Sequence, residues 1–274
     1  MIGTIKKDRS AQLAIGAFIL LTIWWILLFL SGSRTGFPNY LFGAVYGPFM
    51  SLYGGILGLK ISKQWGGFKS LMGKAIIVLS LGLLAESFGQ IVFSFYNIFL
   101  HVEIPYPSLA DIGFFGNIPL YLFGILLLAK ASGVRVSLRS FTSQVQAILF
   151  PLAMLVISYI LFLQNYEFDW TQPIKIFLDF GYPFGQALYV SIAILTYSLS
   201  RKLLGGIMRS RIIFLILAFC AQYLADFNFL YQNSKQTWYN GGYGDYLYLV
   251  AYMIMALGLL QLKMTLLKLS KSGP

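Results

Sequence analysis

Residues 105–124 read PYPSLADIGFFGNIPLYLFG, and residues 241–258 read GGYGDYLYLVAYMIMALG. Asp245 follows Asp111 by the same interval at which Gly258 follows Gly124, so the two stretches align as copies of one plan. In each, a turn-rich aromatic segment with one carboxylate leads into an apolar helix that begins at that carboxylate. An Asp in a first helical turn caps free backbone N–H groups and complements the positive end of the helix dipole. The pairing predicts a chain made of two repeats, and the apolar run after each Asp predicts helices that cross a membrane.

Composition points the same way. The chain is 58% hydrophobic and only 11% charged, with a mean hydropathy of +0.75. A soluble domain carries about 25% charged residues, so this composition excludes a water-soluble globule. Eight apolar stretches, at about 11–31, 38–62, 71–99, 109–130, 143–163, 173–199, 211–232 and 244–267, are each long enough for the roughly 20 residues a helix needs to span the hydrocarbon core. The fold class expected is therefore an all-α integral membrane bundle of eight transmembrane helices, not a barrel.

Charge sets the expected orientation. With the N-terminus inside, all of the 20 basic residues except Arg34, Lys175 and Lys235 fall in cytoplasmic segments. The positive-inside rule requires this bias, and it places both termini in the cytoplasm and the protein in the cell membrane. The net charge of +11 is thus a topology signal and no sign of nucleic-acid binding; the bilayer itself is the first partner. Of the nine acids, only Asp8 is on the inner side. Acids contribute little to insertion, so their segregation marks the outer half as the working half.

Read in order, the chain divides into residues 1–136 and 137–274, four helices each. Pro38 and Pro173 share one interval with Pro48 and Pro183, and the latter two fall inside their helices, where proline kinks the backbone. The cytoplasmic turns KISKQWGGFKSLMGK and SRKLLGGIMRSR both carry Gly-Gly between basic residues. In the third and seventh helices Glu86 aligns with Gln222, and Gln90 with Asp226. Four helices return the chain to its starting side, so the repeats are parallel and related by an axis along the membrane normal.

The polar residues within the apolar stretches are the candidate ligand-binding set. Glu86 lies 12 residues past Lys74, roughly 18 Å up a helix and beyond the middle of a core ~30 Å thick. Gln90 follows one turn later on the same face; Gln222 and Asp226 repeat that relation, and Asp179 shares a face with Gln186. A carboxylate in hydrocarbon turns into the bundle, where it meets amides or tyrosines or takes up a proton. Tyrosines and tryptophans crowd the second half from Tyr231 to Tyr252, and with the acids they suit a cationic or amphipathic ligand at a cavity mouth.

Other chemistries find no support. The single cysteine, Cys220, allows no internal disulfide, and a lone His101 builds no metal cage, so neither metal nor cofactor is expected. No lysine sits in mid-helix to form a retinal Schiff base, and P-loop, G-x-S-x-G and H-E-x-x-H motifs are missing from the sequence.

The first of the two opening stretches resembles the P-[FY]-P-S-x-A-D-x-x-[FY] signature of multi-helix membrane input regions found ahead of prokaryotic diguanylate cyclases and sensor histidine kinases. Pro105, Pro107, Ser108, Ala110, Asp111 and Phe114 stand at its positions. Trp238 and Asp245 are similar to the weaker W-x-x-G-x-x-x-D-x-[LY] close of those regions. The resemblance implies a sensory or scaffolding role without catalysis. Such regions are usually fused to a cytoplasmic output domain; here the sequence reaches Pro274 without one, so output is expected through a separate partner on the basic face. The leading expectation is a membrane sensor with a small or lipidic ligand in an outward-facing pocket. A proton-coupled carrier using Glu86 and Asp226, and a structural subunit of a membrane complex, are the alternatives.

Overall fold

A computed structural model of the chain describes residues 8–132, 141–160, 164, 166–199 and 209–269. Lys6, Lys7, Arg135, Arg139, Arg201, Lys202 and Lys271, used above for orientation, lie outside the described residues. The described residues form eight α-helices: α1 (Arg9–Leu30), α2 (Phe37–Gln64), α3 (Leu71–Phe99), α4 (Ala110–Ala131), α5 (Phe141–Ser158), α6 (Pro173–Leu199), α7 (Arg209–Ser234) and α8 (Tyr243–Leu269).

Local chemistry sets their ends. Asp8 caps α1 by accepting the backbone N–H groups of Ser10 at 3.0 Å and Ala11 at 3.2 Å. Ser70 caps α3 through the Gly73 N–H at 2.8 Å, and Pro38 occupies the first turn of α2, where no N–H is required. Such helices satisfy their own backbone groups, which hydrocarbon cannot do for them.

Six of the eight, α1–α4, α7 and α8, are long and apolar enough to cross a membrane. Helix α6 has the length, 27 residues, but Lys175, Asp179 and Gln186 dilute its apolar character, and the apolar part of α5 covers only Gln144–Ile157. Among the described residues the fold is all-helical, and its six long apolar helices are those of a multi-pass membrane protein.

Packing arranges six helices as a closed ring. Helix α2 packs on α3, α3 on α4, α4 on α6, α6 on α7, α7 on α8, and α8 back on α2. Helix α1 leans on α2 and α8 from outside, and α5 on α6. Only 17% of the most apolar part of α1 is buried against 72% of that of α8, so α1 faces the bilayer while α8 belongs to the core. Small residues set the closest approaches: a Cβ on Gly113 would stand 2.4 Å from the Ala85 carbonyl oxygen, so glycine there lets α3 and α4 touch backbone to backbone. Gly124 receives Leu79 of α3, and Gly258 receives Leu215 of α7.

The loops 31–36, 100–109 and 235–242 gather at one end. There Asn39 donates to the Asn240 carbonyl at 2.8 Å, and Asn240 to the Glu103 carbonyl at 3.3 Å. At the opposite, lysine-rich end, Lys263 pairs with Asp8 at 2.5 Å and the Trp65 indole donates to the Leu262 carbonyl.

Candidate functional site

At the acidic end, Asp111 and Asp245 occupy the first turns of α4 and α8. Each reaches back rather than forward: Asp111 accepts the Ser108 N–H at 2.7 Å, and Asp245 the Gly241 N–H at 2.6 Å. They therefore tie the preceding turn to the start of the helix. Their other oxygens cross the ring. Tyr182 on α6 donates to Asp111 at 2.7 Å, and Tyr46 on α2 donates to Asp245 at the same distance. Each half thus supplies the tyrosine that holds the other half's aspartate.

The Pro-Tyr-Pro-Ser turn orders this end. The Tyr106–Pro107 bond is cis, and the Ser108 hydroxyl accepts the Ala110 N–H at 3.1 Å. Tyr106 donates its hydroxyl to Asp179 at 2.5 Å, and Tyr166 donates to the second oxygen of Asp179 at 2.7 Å. Burial first, and the Asp179 carboxylate second, push the Tyr106 hydroxyl well above the ordinary tyrosine range, so it stays a donor.

One layer deeper, α3, α6, α7 and α8 bring a polar network together. Gln222 donates through one amide nitrogen to Glu86 at 3.1 Å and to Asp226 at 3.0 Å. Gln186 donates to the same Asp226 oxygen, and Tyr248 to the other at 2.5 Å. Tyr252 donates to Glu86 at 3.0 Å and accepts from Gln90 at 3.1 Å. All seven side chains are buried. Among the described residues no Lys, Arg or His forms an ion pair with Glu86 or Asp226. Below the network, Tyr121, Tyr189 and Phe219 pack ring on ring, with centroids 4.9–5.8 Å apart, and plug the ring of helices.

Two voids lie above. An inner cavity of about 40 Å³ touches Gln90 and Asp226 at its base and Asp111 and Asp245 on its sides. An outer vestibule of about 900 Å³ is lined by Glu103, Glu167, Asp169 and Asp179 against Lys175 and Lys235. Tyr106, Leu230 and Trp238 line both voids and so form the wall between them.

This geometry redistributes the expected site. Of the six predicted ligand-binding residues only Gln90 and Asp226 reach the inner cavity. Glu86, Gln186 and Gln222 stand behind them in the network, and Asp179 faces the vestibule, apart from Gln186 on the same helix. Residues taken from the sequence as motif positions, Pro105, Asp111, Phe114, Trp238 and Asp245, line the cavity. The sequence marks Tyr46 and Tyr182 only by a proline close behind, Pro48 two residues on and Pro183 next in the chain, and marks Phe93 and Phe229 not at all. Of the expected aromatic mouth, Trp238 and Tyr248 line the cavity and Tyr231 the vestibule, whereas Tyr246 stacks on Trp25 of α1 at 4.3 Å. Among the described residues no group of three or more His, Cys, Asp or Glu side chains is placed to hold a metal ion.

Comparison with family models, curated proteins and solved structures finds no match to this chain.

Proposed function

We propose that the chain is a membrane sensor or receptor-like module of eight spans in two parallel four-helix repeats, with the acidic end outside and both termini in the cytoplasm of the cell. Its ligand, small or borne on a lipid, enters from outside; its conformational change is read at the basic inner face by a separate partner. The observation that carries this reading is the dead end. Vestibule and cavity descend from the acidic end to Asp226, and the Tyr121–Tyr189–Phe219 plug closes the path below. A one-sided site suits detection better than passage. The repeat is supported by reciprocal contacts: Tyr46 with Asp245 and Tyr182 with Asp111, Leu79 with Gly124 and Leu215 with Gly258. The resemblance of the Pro105–Phe114 stretch to sensor input regions agrees with it.

One observation favours a second reading. Glu86 and Asp226 sit where α3 and α7, the corresponding helices of the two halves, face each other, which is where carriers built on parallel repeats hold their substrates.

Access separates the two. In a Cys220→Ala background, a cysteine in place of Phe229, which lines the inner cavity, is expected to react with a membrane-impermeant thiol reagent in right-side-out vesicles only. Glu103→Cys serves as the outer control and Lys63→Cys as the inner one. Reaction of the Phe229→Cys site in inside-out vesicles, under any ligand or pH condition, would demonstrate alternating access and favour the carrier. Inverted behaviour of the two controls would overturn the orientation.

A further inference from the structure

The outer surfaces of α2, α3 and α4 end in lysines at the basic end. On α2, Phe49, Leu52, Ile56, Lys60 and Lys63 are exposed and succeed one another at intervals of three or four residues, so they form one stripe. On α3 the exposed Leu81 and Phe88 share a face with the exposed Lys74, and on α4 the exposed Phe123 and Leu126 run on to the exposed Lys130. Each lysine stands in the turn next to its helix end. There a lysine lays its stem along apolar surface and carries its ammonium out to the level of the head groups. Helix α3 packs between α2 and α4, and packed helices stand about 8–10 Å apart, so the three stripes end in one continuous basic rim.

The turn between α2 and α3 adds a fixed aromatic ring to this rim. Gly66 and Gly67 have φ of +86° and +55°, and a Cβ on Gly73 would stand 2.2 Å from the Gly67 carbonyl oxygen, so the turn folds tightly onto the start of α3. Trp65 ties it to α8 through the Leu262 carbonyl at 3.3 Å, and the Ser70 hydroxyl donates to the Trp65 carbonyl. On a turn held this firmly, Phe68 is 75% exposed beside the exposed Lys69. An aromatic ring flanked by lysines suits the boundary between acyl chains and phosphates. The charge of the rim is also uncompensated. Among the described residues the one ion pair is Asp8 with Lys263, and the acids of α3 and α4, Glu86 and Asp111, are buried.

We infer that the rim of Lys60, Lys63, Lys74 and Lys130, with Phe68, binds an anionic phospholipid, in the inner leaflet under the orientation proposed above. The phosphodiester accepts from the lysine ammonium groups, each a compact charge with three donors, and the acyl chains lie along the stripes. A zwitterionic head group would bring its own ammonium to a rim with no exposed carboxylate among the described residues, so the site selects a net negative head. A lipid fits better than an acidic soluble protein, because the stripes that carry the lysines continue as apolar surface along helices long enough to cross the bilayer.

Native mass spectrometry of the full chain in a neutral detergent, titrated with phosphatidylglycerol or phosphatidylcholine, tests this. The first phosphatidylglycerol is expected to bind at least about tenfold more tightly than the first phosphatidylcholine, since each lysine near an anionic head contributes about fivefold. Lys63→Gln, Lys74→Gln and Lys130→Gln combined should bring the two lipids within about threefold of each other, whereas arginine at the same three positions should keep the preference. Phe68→Ser should weaken both lipids alike, since the ring meets chains and not charge. Lys175→Gln with Lys235→Gln, at the vestibule, should leave both affinities unchanged. Equal binding of the two lipids by the unaltered protein, a full preference in the folded glutamine variant, or an equal loss in the vestibule variant would overturn the inference. So would displacement of phosphatidylglycerol by polyglutamate, which would make the rim a docking surface for an acidic protein. The cysteine-access experiment is separate: inverted controls there would move the rim to the other leaflet and leave its lipid preference in place.

Discussion

Glu86 and Asp226 share one amide nitrogen, that of Gln222, and both are buried with neutral partners only. Two carboxylates this close repel each other unless a proton or cation lies between them. Removing either charge should therefore relieve the other. In a double-mutant cycle of Glu86→Gln and Asp226→Asn, measured by thermal unfolding at neutral pH, the double variant should fall short of the summed single effects by about 1 kcal/mol or more. Additivity within about 0.5 kcal/mol would mean that the two groups do not sense each other. At this scale the sequence was partly legible. A carboxylate in a long apolar stretch stands out, so Glu86 and Asp226 were visible, and helical spacing rightly joined Gln222 to Asp226. The i,i+7 spacing of Asp179 and Gln186 misled, because it fixes a common face but not a common depth: the two are separated by roughly 10 Å along the helix axis, enough to put one in the vestibule and the other in the network. Tyr46 and Tyr182 carried no such mark in a chain that is 17% aromatic.

Helices were the most legible level, because a stretch of apolar residues bounded by caps has few other solutions in a bilayer. The expected 71–99 is α3, Leu71–Phe99, and where the first helix begins two residues early the reason is the Asp8 cap. What periodicity does not disclose is which helices touch, since an all-apolar helix shows a similar face to lipid and to protein. That choice lies in the small residues, and α4 offers a controlled comparison. A Cβ at Gly113 would collide with the Ala85 carbonyl and the Gly89 backbone, whereas nothing lies within 4 Å of one at Gly116, on the same helix. Gly113→Ala should cost about 1–3 kcal/mol or more, as expected when neither backbone can yield. Gly116→Ala should be neutral or stabilise by about 0.5–1 kcal/mol through the entropy of the unfolded chain. Thermal melts of the two variants in the same detergent check both; equal melting temperatures would show that α3 and α4 do not approach as closely as described.

On the scale of the whole molecule, α8 joins the two ends. It carries Asp245, Tyr248 and Tyr252 at the acidic end and in the network, and Lys263 at the basic end, where that lysine pairs with Asp8 and the neighbouring Leu262 carbonyl holds Trp65. A shift of α8 driven from the cavity would be felt first at these basic-end contacts, which makes the Asp8–Lys263 pair the place to measure coupling. Burial works against the Asp8 charge, but the Lys263 hydrogen bond and charge, with the Ala11 and Ser10 N–H groups, outweigh it and hold the carboxyl below its ordinary 3.8. A group whose folded value is lowered stabilises the fold fully above its unfolded value and loses that contribution as pH falls through the folded one. Asp8→Asn keeps a good helix cap while removing the charge, so it isolates the ion pair from the capping. The melting temperature of Asp8→Asn should therefore lie below that of the unaltered protein by a constant small margin above about pH 5, and the gap should close as pH drops below 3.8. A gap independent of pH across that window would mean that the pair contributes nothing and that α8 is fastened at the basic end by packing and by Trp65 alone.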